Sequence, residues 1–268
     1  MKDQKEQKII GICQIHNEDI FIERVIKNIE SFCDSIFIAN HKSTDNTAQV
    51  VKHLAAQFPK IKYSDIDHPR DAHEMIRPYA GTPTWIFPVD GDEIYDPQCL
   101  APLREAIFRG EFARYRQLYG HSLHCTEIDM KKKVARGFLS PPSRTVTKLY
   151  NFGALVDWKG PVIEKCLGGE IIFQPGFSEK DDFSYYHSHT WDNSPFRLLH
   201  CCFMRRSSRQ PESQIARPQV EEIAFGGPLH RLKRFIKKLA GLHQTSPYKY
   251  EKYHKGELVY RGVSGFFE

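Results

Sequence analysis

The regular alternation of apolar runs with amphipathic runs between residues 8 and 89 most constrains how this chain can fold. Apolar runs of strand length predict four β-strands, and these cover residues 8–15, 35–39, 60–66 and 85–89. Helical spacing of apolar residues predicts one helix over 19–32 and a second that opens at Ser43 or Thr44 as N-cap. Strands that alternate with helices predict an α/β fold with a mostly parallel sheet and right-handed crossovers.

A polar cluster follows each of the four predicted strands. The clusters read HNED, NHKSTD, DGDE and, after the third strand, DIDHPRD. Parallel strands end at a common edge of their sheet, and ligands of such sheets bind at that edge. We therefore expect the four clusters to converge on one binding site.

The pattern changes after Ala106. Segments rich in aromatic and β-branched residues predict mixed or antiparallel strands, and helical spacing returns over 194–206 and 228–242. The organisation that we expect is one Rossmann-type domain with three parts. Residues 1–110 form the nucleotide-binding half, 111–193 form a half that shapes the acceptor site, and 194–268 form a C-terminal helical extension.

Composition and cysteine placement favour a cytoplasmic protein. The 268 residues are 40% hydrophobic, no apolar run is long enough to cross a bilayer, and the N-terminal MKDQKEQK lacks the apolar core of a signal peptide. Seven scattered cysteines contain no CxxC pair, so we interpret them as reduced thiols that fill the core and do not form a zinc site.

The segment 228–242 is a cationic amphipathic pattern. It carries five Lys and Arg residues and no acid, opposite an apolar stripe. One interpretation is a helix that lies on an anionic membrane surface, and the other is a helix packed on the core with a solvated basic face.

The stretch WIFPVDGDEIYDP concentrates three acids, Asp90, Asp92 and Glu93, directly after a buried strand. Neighbouring carboxylates repel unless a cation joins them. Asp90 and Asp92 point the same way on an extended segment, and paired oxygen ligands suit Mg²⁺ or Mn²⁺. The alternative is a solvated acidic turn. The position at the end of a central strand favours the metal site.

The segment NHKSTDNT also has two interpretations. The N-terminus of the following helix can bind phosphate or ribose oxygens, although an ordinary capped helix needs the same Ser, Thr and Asp residues.

Three motifs in this order and spacing resemble the family-2 glycosyltransferases of the GT-A fold. They are IIGICQIHNED, IFIANHKSTDNTAQVV and WIFPVDGDEIYD, and together they cover residues 8–97. A weaker resemblance extends over 148–191, through KLYNFGALVDWKGPVIEK and YYHSHTW. The resemblance implies a GT-A-like α/β fold.

The resemblance also implies roles for individual residues. Asp90 and Asp92 would hold a divalent cation, with Asp90 also facing the donor's ribose or diphosphate. His187 or His189 would complete the metal shell or clamp the leaving diphosphate. The residues implied to bind the nucleotide-sugar, besides Asp90, are Asn17, Glu18, Asn40, Asp45 and Arg70. Glu164 would be the general base. Many relatives have an Asp pair where this chain has Asn40 and His41.

We therefore expect a metal-dependent inverting glycosyltransferase that moves a sugar from a nucleotide-sugar donor to a hydroxyl acceptor. The acceptor class that the resemblance implies is a glycan, lipopolysaccharide or capsule precursor, and the cofactor is Mn²⁺ or Mg²⁺. Peripheral contact with the inner face of a membrane through 228–242 is one of the two interpretations of that segment, and we expect no nucleic-acid partner. The alternatives are a nucleotidyltransferase, whose usual glycine-rich loop is missing from CQIHNED, and a non-catalytic nucleotide-binding module.

Overall fold

The structure is a computed structural model that describes residues 7–159, 170–211 and 252–268. The implied base Glu164 and the cationic segment 228–242 lie outside the described residues.

The described residues contain fourteen strands and four α-helices. The first five strands are β1 Lys8–Ile15, β2 Ser35–Asn40, β3 Ile61–Asp65, β4 Thr84–Pro88 and β5 Glu93–Tyr95. The next five are β6 Gln117–Tyr119, β7 His121–Asp129, β8 Val134–Ser140, β9 Leu149–Asn151 and β10 Leu155–Lys159. The last four are β11 Glu170–Phe173, β12 Asp182–Ser184, β13 Arg197–His200 and β14 Leu258–Gly262. The helices are α1 Ile22–Glu30, α2 Thr47–Gln57, α3 Asp71–Glu74 and α4 Pro97–Phe108.

The larger sheet has seven strands in the order β12-β6-β9-β4-β1-β2-β3. The four N-terminal strands are parallel, and Ile15 of β1 lies opposite Asn40 of β2, which in turn lies opposite Asp65 of β3. Strand β9 runs antiparallel to β4 and β6. The predicted α/β fold with a mostly parallel sheet is confirmed, and the carboxyl ends of β1 to β4 share one edge.

Apolar side chains are buried on both faces of this sheet, as expected for parallel strands covered on each side. On one face, Ile9 and Cys13 of β1 pack with the buried residues of α1 and α4. On the other face, Ile10 and Ile12 pack with Trp158 of β10. Strand β1 is therefore buried on both sides, which explains its nearly continuous apolar sequence.

The helix after β2 begins later than predicted. Its first residue is Thr47 and its N-cap position is Asn46, so Ser43 and Thr44 are not the cap. The hydroxyl of Ser43 instead accepts a hydrogen bond from the backbone N–H of Asn17, 3.0 Å away. The prediction was wrong because this polar group connects two loops and does not cap the helix.

A second sheet of five strands has the order β14-β8-β7-β13-β5. The helix predicted over 194–206 is wrong, because residues Arg197–His200 form the strand β13. It lies between β7, to which it is parallel, and β5, to which it is antiparallel. The apolar residues of this segment are compatible with a helix or a strand. The segment forms a strand because it hydrogen-bonds to a neighbouring strand on each side. The described parts of 194–268 are thus joined to the rest of the chain through this sheet.

None of the helices in the described part of the chain combines the length and the apolar character that a membrane crossing requires.

Candidate functional site

Asn17 holds the loop after β1 against the loop after β2. Its backbone has a positive φ of 54°, a conformation that asparagine adopts more readily than most residues. Its side-chain Oδ1 accepts hydrogen bonds from the backbone N–H groups of Thr44, at 2.7 Å, and Asp45, at 3.3 Å. Asn17 therefore fixes the start of the STD segment, and a direct contact with nucleotide remains a prediction.

Glu18 connects the same loop to the acid cluster. The residue is 1% exposed, and its backbone N–H donates to Oγ1 of Thr47, 2.7 Å away. A Cβ added to Gly91 would lie 1.6 Å from Oε2 of Glu18. A side chain at position 91 would therefore require the buried Glu18 carboxylate to move. The NE and DGD motifs are thus packed directly against each other.

Two of the three clustered acids are buried. Asp92 is 1% exposed and Glu93 is 0% exposed. The Asp92 carboxylate forms a buried ion pair with Arg206, which is 2% exposed, and Nε2 of His200 lies 3.9 Å from the same oxygen, Oδ2. The solvated-turn alternative is therefore wrong for Asp92 and Glu93, because both side chains are buried and the Asp92 carboxylate is paired with Arg206.

The protonation of Glu93 is strongly perturbed. Burial raises its pKa well above the ordinary value, and Asp90 and Asp92 raise it further. Lys148 lowers it, with Nζ 3.7 Å from Oε1 of Glu93. Oε2 accepts a hydrogen bond from the Asp90 backbone N–H at 3.2 Å. Glu93 thus fixes the backbone at Asp90 through this hydrogen bond, and the burial of Glu93 favours its protonated form.

Asp90 is the acid of this cluster that reaches solvent. Its side chain is half-buried, and among the described residues it has no hydrogen bond or ion pair. It stands at the carboxyl end of β4, two residues beyond Pro88. Asp90 is therefore the carboxylate best placed to receive a ligand, while Asp92 is held by Arg206.

Arg206 was not expected at this site. Its Nη1 group binds Asp92, whereas Nε and Nη2 are buried with no hydrogen-bond partner among the described residues. The next residue, Ser207, donates its hydroxyl to Oδ2 of Asp45 at 2.6 Å. Ser208 donates its backbone N–H to Oδ1 of Asp19 at 2.7 Å. The segment 206–208 therefore contacts both loops and brings two unused guanidinium donors to the acid cluster.

Asn40 lies at the end of β2 and is 2% exposed. Its Nδ2 donates to the hydroxyl of Tyr63, at 2.9 Å, and to Oδ1 of Asp65, at 2.7 Å. Its buried Oδ1 has no hydrogen-bond partner among the described residues. Hydrogen bonds from Tyr63 and Asn40 lower the pKa of Asp65. These three side chains form a polar group at the sheet edge with one acceptor still available.

The remaining implied site residues lie on separate loops. Arg70 is exposed and precedes α3. His187 and His189 do not lie on a strand, because β12 ends at Ser184 and Tyr185–His187 form a 3₁₀ turn. Within the described residues, the ring of His187 lies 4.7 Å from that of Tyr186, and the ring of His189 lies 5.2 Å from that of Tyr185. The predicted metal-binding role of either histidine has no support from these contacts.

The structure thus brings five of the implied residues together: Asn17, Glu18, Asp45, Asp90 and Asp92. The convergence of the HNED, NHKSTD and DGDE clusters is confirmed. The arrangement offers carboxylate oxygens for a cation, and guanidinium and backbone donors for an anion, at one edge of the sheet.

Several solved structures align with part of this chain. A mannosyltransferase from Pyrobaculum calidifontis, in complex with GDP-Man and Mn²⁺, is 18% identical, with a TM-score of 0.34 over 44% of this chain and 36% of that chain. Glucosyl-3-phosphoglycerate synthase from Mycobacterium tuberculosis, in complex with Mn²⁺, UDP and glucosyl-3-phosphoglycerate, is 16% identical, with a TM-score of 0.34 over 44% of this chain and 45% of that chain. A 4-diphosphocytidyl-2C-methyl-D-erythritol synthase from Anaerococcus prevotii is 10% identical, with a TM-score of 0.34 over 56% of this chain and 72% of that chain.

The aligned regions span less than half of the first two of these proteins. No curated protein matches this chain. The family model "Glycosyl transferase family 2", in contrast, matches residues 12–209, which is most of the chain and includes every strand from β2 to β13. The chain therefore belongs to glycosyl transferase family 2.

Proposed function

We propose that this protein is a metal-dependent glycosyltransferase that moves a sugar from a nucleotide-sugar donor to a hydroxyl acceptor. The observation that carries the proposal is the acid cluster. A solvent-facing carboxylate, Asp90, stands beside a buried and oriented one, Asp92, at the carboxyl end of β4. Membership of glycosyl transferase family 2 supports the reaction class.

The residues present fit a divalent cation of the Mg²⁺ or Mn²⁺ type. Asp90 offers a carboxylate with no competing partner among the described residues, and Asp92 offers a carboxylate whose orientation Arg206 fixes. Both are hard oxygen ligands, which these cations prefer. A cation held there supplies charge neutralisation for the departing diphosphate. The mannosyltransferase and the synthase compared above were solved with Mn²⁺.

The chain's own groups account for the remaining needs of donor binding. The unused Nε and Nη2 donors of Arg206 are suited to diphosphate oxygens, because guanidinium hydrogen bonds to phosphate are strong and directional. The available Oδ1 of Asn40 is suited to an N–H donor of the nucleoside base. Asn17, Glu18 and Asp45 hold the two loops in place. Because an amide oxygen can accept from more than one nucleobase, the identity of the nucleobase is left to experiment.

We propose Glu164 as the general base that takes the proton of the acceptor hydroxyl. A single displacement assisted by one base inverts the anomeric centre, so we propose inversion. Support for Glu164 comes from the motif alone, KLYNFGALVDWKGPVIEK. Its removal should lower turnover by about 10²–10⁴-fold while donor binding is retained.

The decisive experiment is calorimetric titration with UDP and GDP, each with and without Mn²⁺, followed by a screen of sugar-nucleotide hydrolysis. We expect metal-dependent binding of one nucleotide. Asp90→Asn should abolish it, Glu164→Gln should retain it, and Glu105→Gln, on the exposed face of α4, should behave as wild type. The proposal is refuted if Asp90→Asn binds nucleotide with the same metal-dependent affinity as wild type. It is also refuted if the wild type binds neither UDP nor GDP, with or without Mn²⁺.

The acceptor and its location form a finer proposal. We propose a glycan or lipid-linked precursor, reached from the inner face of a membrane through 228–242. Five cations and no acid support contact with anionic lipid, at about 1 kcal/mol per cation near the surface. Co-sedimentation with anionic vesicles at low salt should capture the protein, and neutral vesicles should not. Charge reversal at Lys233, Arg234, Lys237 and Lys238 should abolish capture, and unchanged capture would contradict the proposal.

A further inference from the structure

Three buried side chains that are not carboxylates form a compact group next to the acid cluster. They are His124, His200 and Cys202, which are 0%, 6% and 4% exposed. Each offers one ligand atom, and these atoms all lie within 4.8 Å of one another. The two Nδ1 atoms of the histidines are 2.9 Å apart. Donor atoms this close can share one metal ion.

The sheet explains how residues so distant in sequence meet. Strands β7 and β13 are parallel neighbours, and His124 lies directly opposite His200 in their register. Cys202 follows two residues after His200, where the chain leaves the strand. The residue between them, Cys201, interacts instead with the thiol of Cys125. The group is therefore built by strand pairing and not by a local sequence motif.

The hydrogen bonds of His124 fix which ring nitrogen faces the group. Its Nε2 lies 2.9 Å from the backbone oxygen of Arg144. A carbonyl oxygen only accepts, so Nε2 carries the hydrogen and Nδ1 carries the lone pair. That lone pair points at His200. A backbone carbonyl that orients a histidine in this way is the usual support of a metal ligand.

We propose that His124, His200 and Cys202 form a second metal site, for a transition ion such as Zn²⁺, separate from the acid cluster. Two imidazoles and a thiolate select Zn²⁺ over Mg²⁺ and Mn²⁺, which prefer oxygen ligands. On binding, Cys202 gives its thiol proton to solvent. Before binding, Nδ1 of His200 donates its hydrogen to Nδ1 of His124. On binding, this hydrogen moves to Nε2 of His200, which lies 3.9 Å from Oδ2 of Asp92, and both Nδ1 atoms become free to bind the ion.

The surroundings suit a bound ion that supports the acid cluster. The ring of Tyr253 covers the group, with its centroid 4.6 Å from that of His124 and 5.1 Å from that of His200. Through His200 the ion would orient Asp92, as carboxylate–histidine–metal arrangements do. The thiol of Cys202 adds a third ligand atom to the two imidazoles of the histidine pair.

The test is titration of the metal-stripped full chain with Co²⁺, which reports thiolate ligation through a sulfur-to-cobalt charge-transfer band. For wild type we expect a charge-transfer band that saturates at one equivalent of Co²⁺. Cys202→Ala should lose the band and bind metal more than about 100-fold more weakly, a larger loss than outer-shell changes cause. Cys201→Ala is the matched control, and it should keep both. Cys202→Ser, which keeps the side-chain volume, should repeat the result if the alanine variant fails to fold.

Three outcomes would overturn the proposal: no charge-transfer band in wild type, a band retained in Cys202→Ala, or an equal loss in Cys201→Ala. Asp90→Asn separates this site from the proposed donor site. It should lose Mn²⁺-dependent nucleotide binding and keep the cobalt band, so either proposal can fail without the other.

Discussion

Replacing Arg206 by methionine should destabilise the protein strongly. The side chains of Arg206 and Asp92 are 3% and 1% exposed, so water cannot compensate the carboxylate once the guanidinium is gone. Methionine occupies much of the same volume, which leaves the loss of the guanidinium beside a buried carboxylate as the main cost. Breaking a buried pair from one side costs about 3–5 kcal/mol of unfolding free energy. For a chain of this size that is a fall in Tm of roughly 6–20 °C.

Urea unfolding at neutral pH measures the effect, with the midpoint and slope fitted for each variant. The matched control is Arg104→Met. Arg104 pairs with Asp34 at 2.5 Å, but these side chains are 27% and 31% exposed, so solvent screens the pair. We expect a loss of about 1 kcal/mol or less for the control. The comparison isolates burial, because both variants remove the same guanidinium.

A double variant tests the cause. Asp92→Leu combined with Arg206→Met replaces the whole pair by apolar groups, and such replacements are often neutral or stabilising. Most of the lost stability should therefore return. If Arg206→Met costs no more than Arg104→Met, or if the double variant is as unstable as the single one, burial of an uncompensated Asp92 is not the cause.

Two further changes test the packing and protonation of the described residues. Gly91→Ala places a methyl group in the space of the Glu18 side chain and should lower the free energy of unfolding in urea by about 1–3 kcal/mol. The control Gly262→Ala, where the added methyl meets no atom within 4 Å, should lower it by less than about 0.5 kcal/mol. Equal losses in the two variants would contradict this reasoning. Burial lowers the pKa of His121 from 6.5 to about 4, with a smaller contribution from His189. The contribution of the neutral His121 to the stability of the fold is therefore present above pH 6.5 and is lost as the pH falls toward 4. His121→Asn should flatten the fall in unfolding free energy between pH 6.5 and 5, and unchanged slopes would show that His121 is not responsible.

The first four strands could be predicted from sequence because each is a short apolar run that ends in polar residues. Strand β1 is buried on both faces, so its apolar pattern is nearly continuous and its end is marked by His16. The convergence of loops followed from parallel pairing alone. Local pattern was sufficient here because the decisive contacts join strands that are close in sequence.

The later part of the site could not be predicted in this way. The sequence PFRLLHCCF has the spacing of a helix, and its strand conformation depends on β5 and β7, which are far away along the chain. MRRSSR has the composition of an exposed basic loop, yet Arg206 is buried on Asp92. A buried ion pair leaves no periodic signal in a sequence, and a histidine group built across two strands leaves none either.

The position of β13 also bears on the order in which this protein folds. The contact of Arg206 with Asp92 joins residues 114 positions apart, and β5 has no other partner in its sheet than β13 among the described strands. Closing long loops costs entropy before the contacts compensate it, so such pairings form late. During synthesis, β1 to β4 can associate as soon as residue 88 is available, while Asp92 must wait for the chain beyond residue 206. We expect the nascent protein to hold a largely formed parallel sheet with an incomplete acid cluster, and to acquire its binding site only in the final steps of folding.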